Sequence, residues 1–244
     1  MNGRAEFEAP RLKRYPQIPP QIRLHIVVCK NMQTMPIAKH STQAHAAYQQ
    51  IKRHILDGRF GREHRLREIE VASLLGIGRT PVRESLKRLE DEGLLTHEPR
   101  RGLMVTSLDP QAVSELYAMR EVLEGAAASF AARNATEAEI ANMEAILAEH
   151  GDVDPVMHNL SFHNAIYGAA HNRHLIRSLQ SLTDTTYLLG RSTLASPQRA
   201  ELAQLEHLKL LKAIKARDEN RAAEAAKHHI RQALLERLKM LRSA

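Results

Sequence analysis

The chain has no tryptophan, and aromatic residues make up only 4% of it, so any core must be built from Leu, Ile, Ala and Val. The single cysteine, Cys29, excludes an intramolecular disulfide framework and a cysteine-rich zinc site. No run of 18 apolar residues exists, and the N-terminus lacks the charge-then-apolar order of a signal peptide, so a cytoplasmic protein is expected. Also missing are an HExxH pair, a Gly-rich phosphate loop and paired carboxylates at a defined site, which argues against an enzyme.

With 244 residues, 43% of them hydrophobic, the chain can hold two modest domains. The overall charge of +7 is unevenly spread. Residues 1–107 hold 19 Lys and Arg against 11 Asp and Glu, a balance of +8, while residues 108–244 hold 16 against 17, a balance of −1. All the basic excess lies in the front half, as in a nucleic-acid-binding domain joined to a neutral one.

Within that half, residues 68–90 read as two short helices around a tight turn. Val71, Ala72, Leu74 and Leu75 supply the apolar face of the first, and Gly76-Ile77-Gly78 makes the turn. The second starts near Gly78 or Thr80, with Pro81 in its first turn. Val82, Leu86 and Leu89 recur on one side of it, and Thr80, Arg83, Glu84 and Lys87 lie on the other. Leu94–His97 and Leu103–Thr106 then read as two strands joined by the basic turn Pro99-Arg100-Arg101-Gly102. Together these make a winged helix-turn-helix, which enters a major groove with its second helix. An ordinary helical hairpin with solvated arginines accounts for the periodicity, but not for the wing or the charge split.

Asp57-Gly58-Arg59, Arg65-Leu66-Arg67-Glu68, Gly78 to Leu86, Arg88-Leu89-Glu90, Glu92-Gly93-Leu94 and Arg101-Gly102 together resemble the DNA-binding domain of GntR-type bacterial transcription regulators, over about residues 43–107. Gly78 departs from the pattern, which usually has a hydroxyl residue there to cap the recognition helix. Glycine caps less well by only a few tenths of a kcal/mol, so DNA binding should survive with one contact fewer. The resemblance implies Arg79, Thr80 and Arg83 for base recognition. It implies Arg65, Arg100, Arg101 and Gly102 at the backbone or minor groove.

Residues 1–40 read as a poorly structured extension, interrupted by Pro10, Pro16, Pro19, Pro20 and Pro36. Gln21 to Cys29 could form a short strand, and Met32 or Met35 could equally be the natural start. From Thr42, the stripe Ala44, Ala47, Tyr48, Ile51 and Ile55 marks the first helix of a winged domain spanning 41–107. Asp109-Pro110 opens a second domain, 108–244, where no strand pattern appears. Asn134, Gly151, Asp154-Pro155, Asn172, Ser196-Pro197 and Asp218 divide it into about six helices near 110–133, 136–149, 154–170, 172–195, 197–216 and 218–242. The fold class expected is mainly α, a winged helix-turn-helix followed by an antiparallel helical bundle.

Histidine spacing within the bundle carries information. Asn159 and His163 are four apart and share a helix face. His207 lies eleven residues before Asp218 and His229 eleven after it, so a hairpin brings both imidazoles to one level. With His163 from a third helix they would offer three nitrogen ligands to a divalent metal. Hydrogen-bonded core or surface histidines are the alternative. His228 faces elsewhere, toward the surface.

Residues 110–242 also resemble the all-helical FCD effector-binding domain of the FadR-like branch of the GntR family. Leu116 to Glu124, Phe162 to Ile166 with Asn172, His207 with Ala213-Ile214 and Asp218, and His229-Ile230 carry the resemblance. It implies a metal bound by one Asp and three His, with a small carboxylate effector completing the coordination. Asn159 stands here where the family has Asp, so the set is Asn159, His163, His207 and His229, and the weaker donor lowers the affinity expected for Zn²⁺. Arg120 corresponds to an arginine that holds the effector's carboxylate, beside Asn159, although a salt bridge to Glu124 at i+4 would equally occupy it. Arg191 is a further candidate for the pocket.

These readings converge on a sequence-specific transcription regulator that binds a palindromic double-stranded operator as a homodimer. A small carboxylate effector is expected to release it, making it a repressor. The competing classes are a metal-dependent enzyme acting on a small acid and a ligand-independent DNA-packaging protein.

Overall fold

The computed structural model describes residues 39–242 apart from 62, 63, 150 and 152. The expected strand at Gln21–Cys29, the alternative starts at Met32 and Met35, and all but the last two residues of the expected 1–40 extension lie outside the described residues.

Helix α1 (Lys39–Leu56) buries Ala47, Tyr48, Ile51 and Ile55 on one stripe. α2 (Glu68–Leu75) ends at Gly76, whose φ of 63° is the left-handed conformation that closes a helix and that glycine adopts without strain. α3 (Arg79–Asp91) follows, with Val82, Leu86 and Leu89 buried against α1 and α2. Its N-cap is Gly78, which offers no side-chain bond, as the missing hydroxyl requires. One expectation for α2 is corrected, because Leu74 is 59% exposed and only Val71 and Ala72 are buried. An eight-residue helix has room for a narrow buried stripe, and Leu74 falls off it.

The wing is an antiparallel pair, β1 (Leu95–Glu98) and β2 (Gly102–Val105), in the register Leu95↔Val105 to Glu98↔Gly102. Each strand lies one residue from its expected bounds. Leu94, Leu95 and Val105 close the core beneath α3.

The bundle starts at α4 (Pro110–Asn134), capped by the Asp109 carboxylate on the Ala112 N–H at 2.7 Å. α5 (Glu137–Ala148) opens with a Thr136–Glu139 capping box, α6 (Pro155–Ala169) with Asp154, α7 (Arg173–Tyr187) with Asn172 and α8 (Pro197–Lys215) with Ser196. α9 (Glu219–Arg242) follows Asp218, whose carboxylate accepts the Arg221 N–H at 3.0 Å. Each cap satisfies backbone donors that a helix N-terminus leaves unpaired. The expected helix over 172–195 is shorter than predicted. It stops at Tyr187, Gly190 turns the chain at a φ of 76°, and a 3-10 turn covers Thr193–Ala195.

α4 and α9 pack along their length. Ala127, Ala128, Ala131 and Ala132 on α4 and Ala222 and Ala226 on α9 belong to one buried cluster, small side chains that let two helices approach closely where aromatics are scarce. No described helix is long and apolar enough to cross a membrane.

Bundle and winged region meet at the end of α7. Leu188 packs into the winged core, and Leu108 touches both cores. Lys52 Nζ on α1 donates to Asp184 Oδ2 on α7 at 2.6 Å and to the Tyr48 hydroxyl at 3.0 Å, and that hydroxyl donates to Glu92 Oε2 at 2.6 Å. The Lys52 and Asp184 side chains are only 17% and 9% exposed.

Removing one member leaves a charge poorly solvated. Lys52→Met should therefore destabilise the protein by about 3 kcal/mol, and Asp184→Leu in the same chain should restore most of it, as measured by urea unfolding. Burial alone would lower the Lys52 pKa, but Asp184 and the Tyr48 hydroxyl together outweigh it and raise the value. The stability Lys52 brings is thus whole below its unfolded pKa of about 10.4 and is lost as pH rises through the higher folded value. Lys52→Met should flatten that alkaline fall.

Candidate functional site

Two surfaces concentrate chemistry. The first is a groove between α2, α3 and the wing, lined by Arg65, Arg67, Arg79, Arg83, Lys87, His97 and Gly102 together with Glu68, Glu70 and Glu90. Of the residues selected from sequence, Arg65, Arg79, Arg83 and Gly102 line it. Thr80, Arg100 and Arg101 are exposed nearby without lining it. Arg83 is gripped on both nitrogens by Glu68, Nε to Oε1 at 2.8 Å and Nη2 to Oε2 at 3.0 Å, which presents the guanidinium in one orientation. Glu68 in turn is held below the usual carboxylate range by that hydrogen bond.

Gly102 has a φ of 86°, and a Cβ built there would lie 2.8 Å from Arg65 Nε. Glycine therefore lets both the wing turn and the Arg65 side chain occupy their places. Arg100 sits at the wing tip with a φ of 66°, and Arg101 donates to Glu98 at 2.8 Å.

The second surface is a cavity of about 130 Å³ inside the bundle. Arg120 (α4), Asn159 and His163 (α6), and His229 (α9) line it. His207 on α8 is 1% exposed and completes the trio from behind, outside the lining. Ring centroids are 5.3 Å apart for His163 and His207, 5.1 Å for His163 and His229, and 4.6 Å for His207 and His229. One nitrogen from each lies within 4.8 Å of the others. Equal offsets from Asp218 thus do bring His207 and His229 level, and His228 is exposed as expected. Arg191 is corrected: its side chain is exposed and away from the lining, and only its backbone carbonyl faces inward, accepting from Arg237.

A buried glutamate, Glu124, and a partly buried one, Glu206, orient two of the imidazoles. His163 Nδ1 donates to Glu124 Oε2 at 2.7 Å, and His229 Nδ1 donates to Glu206 Oε2 at 2.6 Å. Each glutamate is held from its other side by an arginine, Arg120 Nη2 on Glu124 at 2.7 Å and Arg199 on both oxygens of Glu206 at 3.1 and 2.8 Å. Burial acting alone would raise the Glu124 pKa, but the charges of His163 and Arg120 outweigh it and hold the carboxyl well below its usual range. Glu206 is lowered in the same way, burial being outweighed by His229 and Arg199. Burial depresses His229 to about 4 and His207 well below its ordinary value, so both rings are neutral at physiological pH.

The donor set fits a divalent cation. With Nδ1 committed to carboxylates, His163 and His229 turn their Nε2 atoms toward each other at 3.2 Å, and both buried nitrogens of His207 have no hydrogen-bond partner among the described residues. A cation held by all three would take up the two facing Nε2 atoms and one of the two His207 nitrogens. Carboxylate-oriented imidazoles are the usual second layer of such a centre.

The fold and the basic groove define a DNA-binding transcription regulator. A family model described as bacterial regulatory proteins, gntR family, matches residues 43–105, and an FCD domain model matches residues 115–232. The HTH-type transcriptional regulator YdhC of Bacillus subtilis is 31% identical over 191 residues, covering 75% of this chain and 84% of that protein. The HTH-type transcriptional repressor GlaR of Escherichia coli K12 is 27% identical over 198 residues, covering 75% and 90%. The Glc operon transcriptional activator of the same strain is 28% identical over 201 residues, covering 67% and 76%. The solved structure of E. coli McbR/YncC shares the fold at a TM-score of 0.68 and 21% identity, covering 82% of this chain and 98% of that one. This chain belongs to the GntR family of bacterial transcription regulators and carries an FCD domain.

Sequence reasoning missed Glu206, Arg199 and Arg237, and it read Glu124 only as an alternative partner of Arg120. That bridge is indeed present, and Arg120 lines the cavity as well. The one available signal for Glu206 was its place beside His207.

The unpartnered His207 gives a test. Phenylalanine keeps a flat ring only slightly larger than imidazole and would pack on Phe162, whose ring centroid lies 4.7 Å away. In metal-free protein, His207→Phe should raise stability by about 1 kcal/mol, because two unpaired buried polar atoms disappear. Added Zn²⁺ should raise the melting temperature of the wild type and leave the variant unmoved. A variant that gained as much would refute a three-histidine centre.

Proposed function

We propose that this regulator binds a short palindromic operator as a homodimer in the cytoplasm, and that a small carboxylate held in the bundle cavity controls its grip. The observation that carries the reading is the convergence of Arg120, Asn159, His163 and His229 on one cavity, in the same chain as a basic groove built around a recognition helix.

In this reading Arg79, Thr80 and Arg83 read base edges from the N-terminal turns of α3. Arg65, Arg100, Arg101 and the Gly102 backbone hold phosphate or the minor groove. Glu68 keeps Arg83 aimed before DNA arrives, which reduces the ordering that binding must impose.

His163, His207 and His229 hold a divalent ion, Zn²⁺ by its preference for imidazole nitrogen, with the Asn159 side-chain oxygen as the fourth protein ligand. The ion supplies a positive centre that can accept an effector's carboxylate. Arg120 fixes the orientation of that carboxylate through a charge-assisted contact, sharing its guanidinium with Glu124. Asparagine brings no charge, so the ion is held less tightly than by an aspartate.

The effector shifts the dimer only by its difference in affinity for the operator-bound and free arrangements. We assign the chain as a repressor released by its effector, in keeping with the name of the relative GlaR. The relative named an activator makes the sign the point to test.

Gel-shift titrations separate the roles. Arg83→Ala should remove about 1–3 kcal/mol of discrimination between operator and scrambled DNA. Arg101→Ala should weaken both duplexes alike and reduce the salt slope by about one. Small carboxylates added to the operator complex should release the wild type. Tighter binding would overturn the repressor assignment, and identical losses for both variants would overturn the division of contacts.

A further inference from the structure

Three arginines line the bundle cavity, and they differ in one respect. Arg120 is paired with Glu124, and Arg199 is paired on two nitrogens with Glu206. Arg237 on α9 is 5% exposed and meets no carboxylate among the described residues. Its Nη1 donates to the backbone carbonyls of Leu189 at 3.3 Å and Arg191 at 2.8 Å, while its buried Nε has no partner. Nη2 also makes no hydrogen bond within the described residues and, unlike the sealed Nε, is not closed off from solvent, so it is the nitrogen free to receive a carboxylate. A guanidinium keeps its charge, and two carbonyl dipoles compensate it less fully than an anion would.

α9 shows where that anion would come from. His229, Ala233 and Arg237 are spaced at i, i+4 and i+8, and all three line the cavity. They form successive rungs along about 12 Å of helix, the imidazole at one end and the guanidinium at the other. The rung between them is alanine, which leaves space for a ligand to lie along the helix. Thr186 and Thr193 add hydroxyls to the wall.

We propose that Arg237 is the receptor for a second anionic group of the effector, so that the effector is a small dicarboxylate. One carboxylate is held at the histidine and Arg120 end, and the other on Nη2 of Arg237. The proposal rests on the cavity being the effector site. It adds a selectivity that neither Arg120 nor the histidines provide, since a monocarboxylate leaves Arg237 without an anion.

Titration calorimetry on the purified full-length protein tests this with matched probes, succinate against butyrate and glutarate against pentanoate. The wild type should bind each dicarboxylate at least about tenfold more tightly than its partner, the worth of one charge-assisted contact. Arg237→Gln should reduce each dicarboxylate to the affinity of its partner while leaving the monocarboxylates within about twofold. Arg237→Lys keeps a cation near the Leu189 and Arg191 carbonyls and serves as the variant that must fold. It should lose most of the preference while its melting temperature without acid stays near that of the wild type. Arg120→Gln should weaken all four acids.

Equal binding of both classes by the wild type, or a parallel loss of all four acids in the Arg237 variants, would leave Arg237 as a clamp on the α7 terminus and overturn the proposal. Wild-type protein that bound none of the acids would overturn the effector-site reading itself. Monocarboxylate binding without a dicarboxylate preference would remove only the role of Arg237.

Discussion

The polar part of the bundle's interior is arranged around two carboxylates largely withdrawn from water. Glu124 and Glu206 are each tied to an arginine and to an imidazole, so that neither carries an unpaired charge into the core. The pairing has a geometric consequence. By taking Nδ1 of His163 and of His229, the glutamates turn both Nε2 atoms toward one point, where His207 adds a third ring from α8. Three histidines on three helices would otherwise have independent rotamers. The glutamates convert them into a donor set, and the arginines hold the glutamates.

The same interior reaches the winged region through one helix. The end of α7 contributes Thr183, Thr186 and Tyr187 to the cavity wall, while Asp184 grips Lys52 of α1 and Leu188 sits in the winged core. Arg237 holds the carbonyls of Leu189 and Arg191 just beyond. A helix moves as a rigid body, so a displacement of the wall at Thr186 is also a displacement of Asp184. On the proposed reading, that shared helix is the element through which occupancy of the cavity bears on the basic groove. Coupling of this kind needs an element with two arrangements, and a short helix end tied on both sides is suited to having them.

Much of this was legible in the sequence because it is encoded locally. Asp109-Pro110, Asp154-Pro155, Asn172, Ser196-Pro197 and Asp218 mark helix starts, since a short polar side chain followed by proline or a polar turn meets the needs of a helix N-terminus. The level of His207 and His229 followed from equal offsets about one turn. The parts that could not be read depend on tertiary surroundings. Gly190 turns the chain just beyond α7, yet an isolated glycine in a helical pattern does not announce a positive φ. Leu74 looks like core until the narrowness of α2 exposes it. Arg199 and Arg237 look like ordinary solvated arginines, and only the packing of α8 and α9 buries them.

On the proposed reading, charge balance in the cavity gives a physical reason for an uncharged side chain at Asn159. Three arginines line the cavity; two are paired with Glu124 and Glu206, and Arg237 meets no carboxylate among the described residues, which leaves one positive charge in excess. An aspartate at position 159 would cancel that excess. Asn159 leaves it intact, and with it the field that draws a second anionic group toward Arg237. On the proposed reading the asparagine exchanges tightness of metal binding for attraction to the effector. A cation held by three imidazoles and a neutral oxygen also keeps its full charge toward an incoming carboxylate, whereas an aspartate ligand would have neutralised part of it.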